Sequence, residues 1–348
     1  MTKHILLTGG AGFIGSHCAA ALTDAGHRVT ILDDFSNAKP SVLDRLAMIA
    51  GTGQIALARG NILEAGFLDA TFAADPIDGV IHLAAKKSVA ESMVDPLGYI
   101  DTNIGGLTRL LAAMQAHGVF RLVFSSSATV YGDPKVLPFT EGMARSFANT
   151  YGFTKLVGEQ ICEQVAASDP RWAVGILRYF NPVGAHPSGL IGEDPNGVPT
   201  NLMPYVAAVA IGDAPALNVY GDDYDTPDGT GVRDYIHVCD LAEGHVQSLT
   251  ALLDSGAGHT VNLGAGRGYS VLEVVRAYEA ASGRTVPYVV KPRRAGDIDA
   301  FWASTELAER VLGFRARRGL DEMCASSWAW VQARAKANWS HTDGQTPD

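Results

Sequence analysis

"TGGAGFIG", residues 8–15, decides how the chain is read. It ends the short apolar run "HILLTG" (4–9) and opens the helical pattern "FIGSHCAAALTDAG" (13–26). A strand, a glycine-rich turn and a helix in immediate succession form the phosphate-binding start of a doubly wound α/β sheet. Gly9, Gly12 and Gly15 let the backbone turn tightly and let a pyrophosphate approach the amides at the helix N-terminus. Asp33 closes the next strand, "RVTILDD" (28–34), 18 residues after Gly15. A carboxylate there accepts a ribose 2′-hydroxyl and repels a 2′-phosphate, which points to NAD rather than NADP.

The pattern continues outward. "QIALARGNI" (54–62), "GVIHLAA" (79–85), "RLVFSSS" (121–127) and "AVGILRYFN" (173–181) read as further strands. Helical patterns fall between them, including 101–118 and 151–168. Apolar strands alternating with helices predict a parallel Rossmann sheet covered on both faces. After about residue 181 the chain turns rich in Gly and Pro, then mixes short strands with turns. The expected organisation is a cofactor-binding domain over 1–180, with a returning segment near 236–263. A smaller α+β substrate-binding domain over 181–335 and a frayed polar tail over 336–348 complete it.

Composition narrows the function. Of 348 residues, 47% are hydrophobic and 18% charged, enough for a sizeable core. A net charge of −10 speaks against a nucleic-acid surface. No apolar run reaches membrane-spanning length, and the N-terminus enters a strand with no signal-peptide pattern, so a cytoplasmic protein is expected. Cys18, Cys162, Cys239 and Cys324 form no C-x-x-C pair. They read as core residues, not as a metal site or disulfide framework.

The fifth strand ends in "SSSATVYG" (125–132), and strand carboxyl ends are where such sheets bind ligands. Tyr151 follows 24 residues after Ser127, and Lys155 lies four further on. On a helix, Tyr151 and Lys155 share a face. A free phenol titrates near pH ~10, and nearby positive charge moves it towards phenolate, a usable base.

Glycine loop, serine-ended strand and Tyr-x-x-x-Lys together resemble the extended short-chain dehydrogenase/reductases. Within them, "SSSATVYG", "LRYFNPVGAHPSG", "GEDP", "NLMPY" and "DGTGVRDYIHVCDLAEGH" resemble the signatures of the UDP-glucose 4-epimerase family, from Ile5 to about Trp330. The resemblance implies a reversible, NAD-dependent C4 epimerisation that interconverts UDP-glucose and UDP-galactose through a 4-keto sugar. It makes Tyr151 the base, Ser127 the partner of the 4-oxygen, and Lys155 the residue that holds the ribose and favours phenolate. It sets Phe13, Ile14, Asn37, Asn61, Ile62, Leu83, Ala84, Ala85, Lys87, Thr102 and Phe180 beside the cofactor. Asn181, Asn201, Arg233 and Arg294 fall to the pyrophosphate side, and Asp297 to a ribose. Tyr220 is set against the uracil, with Leu202, Asn218 and Val219 beside the substrate. It also implies a homodimer pairing helices 101–118 and 151–168, where Leu107, Leu110, Leu111 and Met114 face either the partner or their own sheet.

Five positions bear on departures from the family pattern. Asn149 and Thr150 replace a common Ser-Pro before the tyrosine, and Thr102 replaces an asparagine. Asn61 replaces an aspartate; its oxygen can still accept from an amino group. Phe301 is large where a small residue would admit an N-acetyl group, so N-acetylated sugars are expected to be poor substrates. The rival readings are an epimerase for N-acetylated or pentose sugars and a non-catalytic NAD-sensing regulator. A 4,6-dehydratase is disfavoured, because Ala128 and Thr129 cannot supply its carboxylic acid/base pair.

Overall fold

A computed structural model of the chain describes residues 1–134, 136–194, 199, 201–294 and 297–337. Most of the expected tail, Pro195 of "GEDP", and residues 295–296 lie outside them.

The first lobe runs β1 (His4–Thr8), α1 (Phe13–Asp24), β2 (Arg28–Asp33), α2 (Val42–Ala50), β3 (Ile55–Arg59), α3 (Ala65–Ala74), β4 (Gly79–His82), α4 (Val89–Val94) and α5 (Pro96–Ile100). A π-helical turn (Asp101–Gly105) leads into α6 (Gly106–Ala116), then β5 (Arg121–Ser127), α7 (Thr150–Ser168) and β6 (Ala173–Tyr179). Then come β7 (Asn181–Val183), α8 (Leu202–Ile211), β8 (Leu217–Tyr220), β9 (Val232–His237), α9 (Val238–Ser255) and β10 (His259–Leu263). The chain ends through β11 (Gly268–Ser270), α10 (Val271–Ser282), β12 (Tyr288–Lys291), β13 (Ala300–Phe301), α11 (Glu306–Leu312) and α12 (Leu320–Lys336).

Seven parallel strands order as β10-β6-β5-β4-β1-β2-β3. Every residue of β1, "HILLT", is buried, as a strand covered on both faces requires. One core packs α1, α9 and α11 on one face through Cys18, Leu22, Leu249 and Ala308. The other packs α3, α6 and α7 through Leu68, Leu110 and Cys162. Leu107, Leu110, Leu111 and Met114 all belong to this second core and face their own sheet. All four cysteines are buried thiols.

The second lobe is a small sheet, β11-β9-β13 with β7 also on β9, and a separate pair β12-β8. Helices α8, α10 and α12 close its own core around Met203, Tyr278 and Trp330. The helix expected over 101–118 is interrupted by the π turn, and its tighter α portion begins at Gly106. Such π turns concentrate at functional sites, and this one carries Thr102.

Candidate active site

The glycine turn is shaped by contact, not only by flexibility. Gly9 has φ +70, and a Cβ there would lie 2.7 Å from the Ala84 amide nitrogen. A Cβ on Gly15 would lie 2.2 Å from the Gly9 carbonyl oxygen. Side chains at either position are therefore excluded. Gly12 is the N-cap of α1, and no side chain caps that end. The first-turn amides are left for an anion, which the helix dipole also favours. Asp33 braces the turn: Oδ2 accepts from Ala11 N (3.0 Å) and Oδ1 from Phe35 N (2.9 Å). Burial raises the Asp33 carboxyl above its ordinary range, and these two amides oppose the shift. A cradle that a Cβ would fill, beside a carboxylate with lone pairs to spare, fits a dinucleotide. Phe13 and Ile14 begin α1, partly exposed, and Leu83, Ala84 and Ala85 follow β4 against Gly9. Ile62 and Phe180 are buried. Asn37 is exposed beyond β2, and Thr102 is half-buried. Asn61 is already engaged: its amide donates to Asp34 (2.8 Å) and its oxygen accepts from Leu63 N (2.9 Å). One oxygen lone pair remains for a ligand.

Three side chains meet at the carboxyl edge of β5. Ser127 ends the strand, 9% exposed, with Oγ accepting from Thr129 N (3.2 Å). Asn149 caps α7 by accepting from Gly152 N (2.8 Å), so the departure from Ser-Pro supplies a sound helix start. Tyr151 follows in the first turn, and its amide donates to Ser92 Oγ (3.1 Å). Burial pushes the Tyr151 phenol up to about 12, while its hydrogen bond with Ser127 pulls the other way. Lys155 is buried, and its Nζ donates to the Ser125 carbonyl (2.8 Å). That nitrogen lies 5.8 Å from the Tyr151 ring centroid. Burial lowers Lys155 to about 8, while Glu159 favours its charged form. The lysine thus shares the tyrosine's face and is also tied to the strand, while burial and the Ser127 hydrogen bond act in opposite directions on the phenol.

The opposite wall comes from the second lobe. Arg233 on β9 and Phe301 on β13 are paired in register, and the guanidinium lies 4.8 Å from the Phe301 ring centroid. Arg233 is largely buried, with its nearest carboxylate, Asp297, at 3.7 Å. Asp297 also accepts from Arg294 Nε (2.9 Å), and Arg294 stacks 4.9 Å from the Tyr220 ring centroid. Two arginines sharing one acid leave net positive charge, suited to phosphate oxygens. Phe301 packs on Phe139 and Phe180, so its bulk is held in place. Asn181 begins β7. Asn201 donates to Glu193 Oε1 (2.8 Å) and Asn218 to the Tyr205 hydroxyl (3.3 Å). Leu202 begins α8, partly buried. The Val219 side chain is spent in the lobe's core, which leaves only its backbone for a ligand.

Residues 5–264 match the model of the NAD dependent epimerase/dehydratase family. The chain belongs to this family. It is 51% identical over 330 residues to a UDP-glucose 4-epimerase of Neisseria meningitidis serogroup C, covering 94% of this chain and 97% of the relative. A UDP-glucose 4-epimerase of Bacillus subtilis is also 51% identical, with 94% and 96% covered. Among solved structures, UDP-glucose-4-epimerase from Stenotrophomonas maltophila, with bound NAD and formylated UDP-arabinopyranose, superposes with TM-score 0.94 at 48% identity. That match covers 96% of this chain and 99% of the other. The Bifidobacterium longum enzyme in complex with NAD+ and UDP gives 0.92 at 48%, over the same shares.

Within this family member, sequence reasoning missed the supports. Glu159, fully buried one turn beyond Lys155, accepts from Ser126 Oγ (2.5 Å) and from Arg178 (2.8 and 2.7 Å). It thereby ties α7 to β5 and β6, fixing the tyrosine's helix against the serine's strand. The available signal was its spacing, since residues 151, 155 and 159 repeat every four positions on one helix face. Asp234 accepts from the backbone amides of Ala265, Gly266 and Ala303, which anchors the segment after Phe301. Asn103, next to Thr102, bonds Lys86 N (2.8 Å), Lys86 O (3.0 Å) and Thr154 Oγ1 (3.0 Å). No local pattern marks these last two.

Proposed function

We propose that the chain interconverts UDP-glucose and UDP-galactose by reversible epimerisation at C4. The observation that carries this reading is the meeting of Ser127 and Tyr151 above Lys155, between a dinucleotide cradle and a wall holding Arg233 and Arg294. NAD, when bound, supplies the two-electron acceptor and donor for C4. Gly9, Gly12, Gly15 and Asp33 would hold its pyrophosphate and ribose.

The chain's own residues manage the proton and the geometry. Tyr151 takes the 4-hydroxyl proton as the C4 oxygen becomes a carbonyl, and returns it after the sugar has turned over. Ser127 donates to the same oxygen. Lys155, with its Nζ 5.8 Å from the Tyr151 ring centroid, favours the phenolate by its charge and offers a donor to the cofactor ribose. Arg233 and Arg294 grip the diphosphate, Tyr220 covers the base, and the ring keeps few contacts so that it can turn. Phe301 narrows the space beside the 2-substituent and favours hexoses without an N-acetyl group.

We read residues 1–180, with 236–263 and the α11 region returning, as the cofactor domain and the rest of 181–335 as the substrate domain. No helix of the described residues is long and apolar enough to cross a membrane, in keeping with action in the cytoplasm. The enzyme acts as a homodimer through the outward residues of 101–118 and 151–168, the inward leucines being spent in the domain's own core. Light scattering on the purified protein tests this.

To test the substrate assignment, the protein is given UDP-galactose or UDP-N-acetylgalactosamine separately, and products are separated by chromatography. UDP-glucose from the first and little turnover of the second is expected. Efficient turnover of the second alone would overturn it.

A further inference from the structure

Two consecutive acids of the substrate lobe, Glu193 and Asp194, reach lysines on opposite sides of the glycine turn. Lys39 Nζ lies 2.9 Å from Asp194 Oδ2, with both side chains largely buried at 24% and 16% exposure. Lys87 Nζ lies 3.7 Å from Glu193 Oε1. Lys39 follows β2 and Lys87 follows β4. In the sheet, β2 and β4 flank β1, whose carboxyl end carries Gly9. Neighbouring Cα atoms are only about 3.8 Å apart. Two adjacent residues that hold lysines from both flanks thus span, through those side chains, the two sides of the turn where a pyrophosphate would lie.

The far side of this span is anchored. Arg334 on α12 donates to Asp194 Oδ1 (2.7 Å), and Trp330 Nε1 donates to the Glu193 carbonyl (3.1 Å). Asn201 donates to the same Glu193 oxygen that faces Lys87 (2.8 Å). The acids thus join the cofactor lobe to the last helix of the substrate lobe.

We infer that Glu193 and Asp194 form an ion-paired strap across the dinucleotide site, and that Lys39 and Lys87 fasten it and slow the release of NAD. The inference rests on the dinucleotide reading of the glycine cradle. Partly buried bridges of this kind act on dissociation more than on association.

The test uses NAD-loaded wild type, Asp194→Asn, Lys39→Ala and the Glu193→Gln/Asp194→Asn double variant. Each is passed through repeated desalting, and the NAD freed by denaturing the protein is measured against time. The single variants should release NAD several-fold faster, and the double variant about tenfold faster or more. Raised salt should speed release from wild type and leave the double variant unchanged. Release from the double variant at the wild-type rate, with an unaltered circular dichroism spectrum, would overturn the strap. If the double variant does not fold, Lys39→Ala decides alone: wild-type release from it is equally contrary. A wild type that binds no NAD on direct titration would instead refute the dinucleotide reading, and the strap with it.

Discussion

The two walls of the site are built in different ways. The cofactor wall is nearly one piece of chain: β1, the glycine turn and α1, braced by Asp33. Its shape comes from backbone contacts that tolerate no side chain at Gly9 or Gly15. The wall proposed for the substrate is collected from Tyr220, Arg233, Arg294 and Phe301, which come from separate parts of the chain and meet only through packing and shared charge. A wall made of backbone should fail completely when touched. A wall made of side chains should fail by degrees, one contact at a time.

Substitutions can break that contrast. Gly15→Ala should have the largest effect, because its Cβ would strike a carbonyl oxygen at 2.2 Å. NAD binding measured by fluorescence titration should vanish, and activity with it. Tyr151→Phe should lower kcat by about a thousandfold while NAD binding persists. Equal kcat in this variant would remove the tyrosine from the chemistry. Arg233→Ala should raise KM for the UDP-sugar roughly ten- to a hundredfold with a smaller change in kcat, as loss of a charge-assisted phosphate contact implies. Phe301→Ser should be the mildest for the natural substrate, and should raise kcat/KM for UDP-N-acetylglucosamine about tenfold. Continued exclusion of that sugar by the serine variant would mean that another residue sets the pocket.

The same contrast explains what could be read without coordinates. The glycine turn, the alternation of strands and helices and the shared face of Tyr151 and Lys155 are local in sequence, so spacing and periodicity report them. Family likeness, not spacing, was needed to single out Arg233, Arg294 and Phe301. Other features depend on partners far along the chain. The Lys155 ammonium is held by a carbonyl 30 residues away. Glu159 meets Arg178 on a different strand, and Asp234 is caged by amides 31, 32 and 69 residues distant. The leucines of α6 could have faced a partner or the sheet, and only tertiary packing chose the sheet. The strap of Glu193 and Asp194 is of the same kind, since its meaning lies in which strands its lysines follow.

The most direct test of the central claim follows UDP-galactose carrying deuterium at C4, given to purified protein with no added NAD. The account predicts conversion to UDP-glucose with the deuterium still at C4, because hydrogen leaves and returns within one closed site while Tyr151 handles only the hydroxyl proton. Loss of the label to water would contradict it, as would failure to convert even after NAD is supplied.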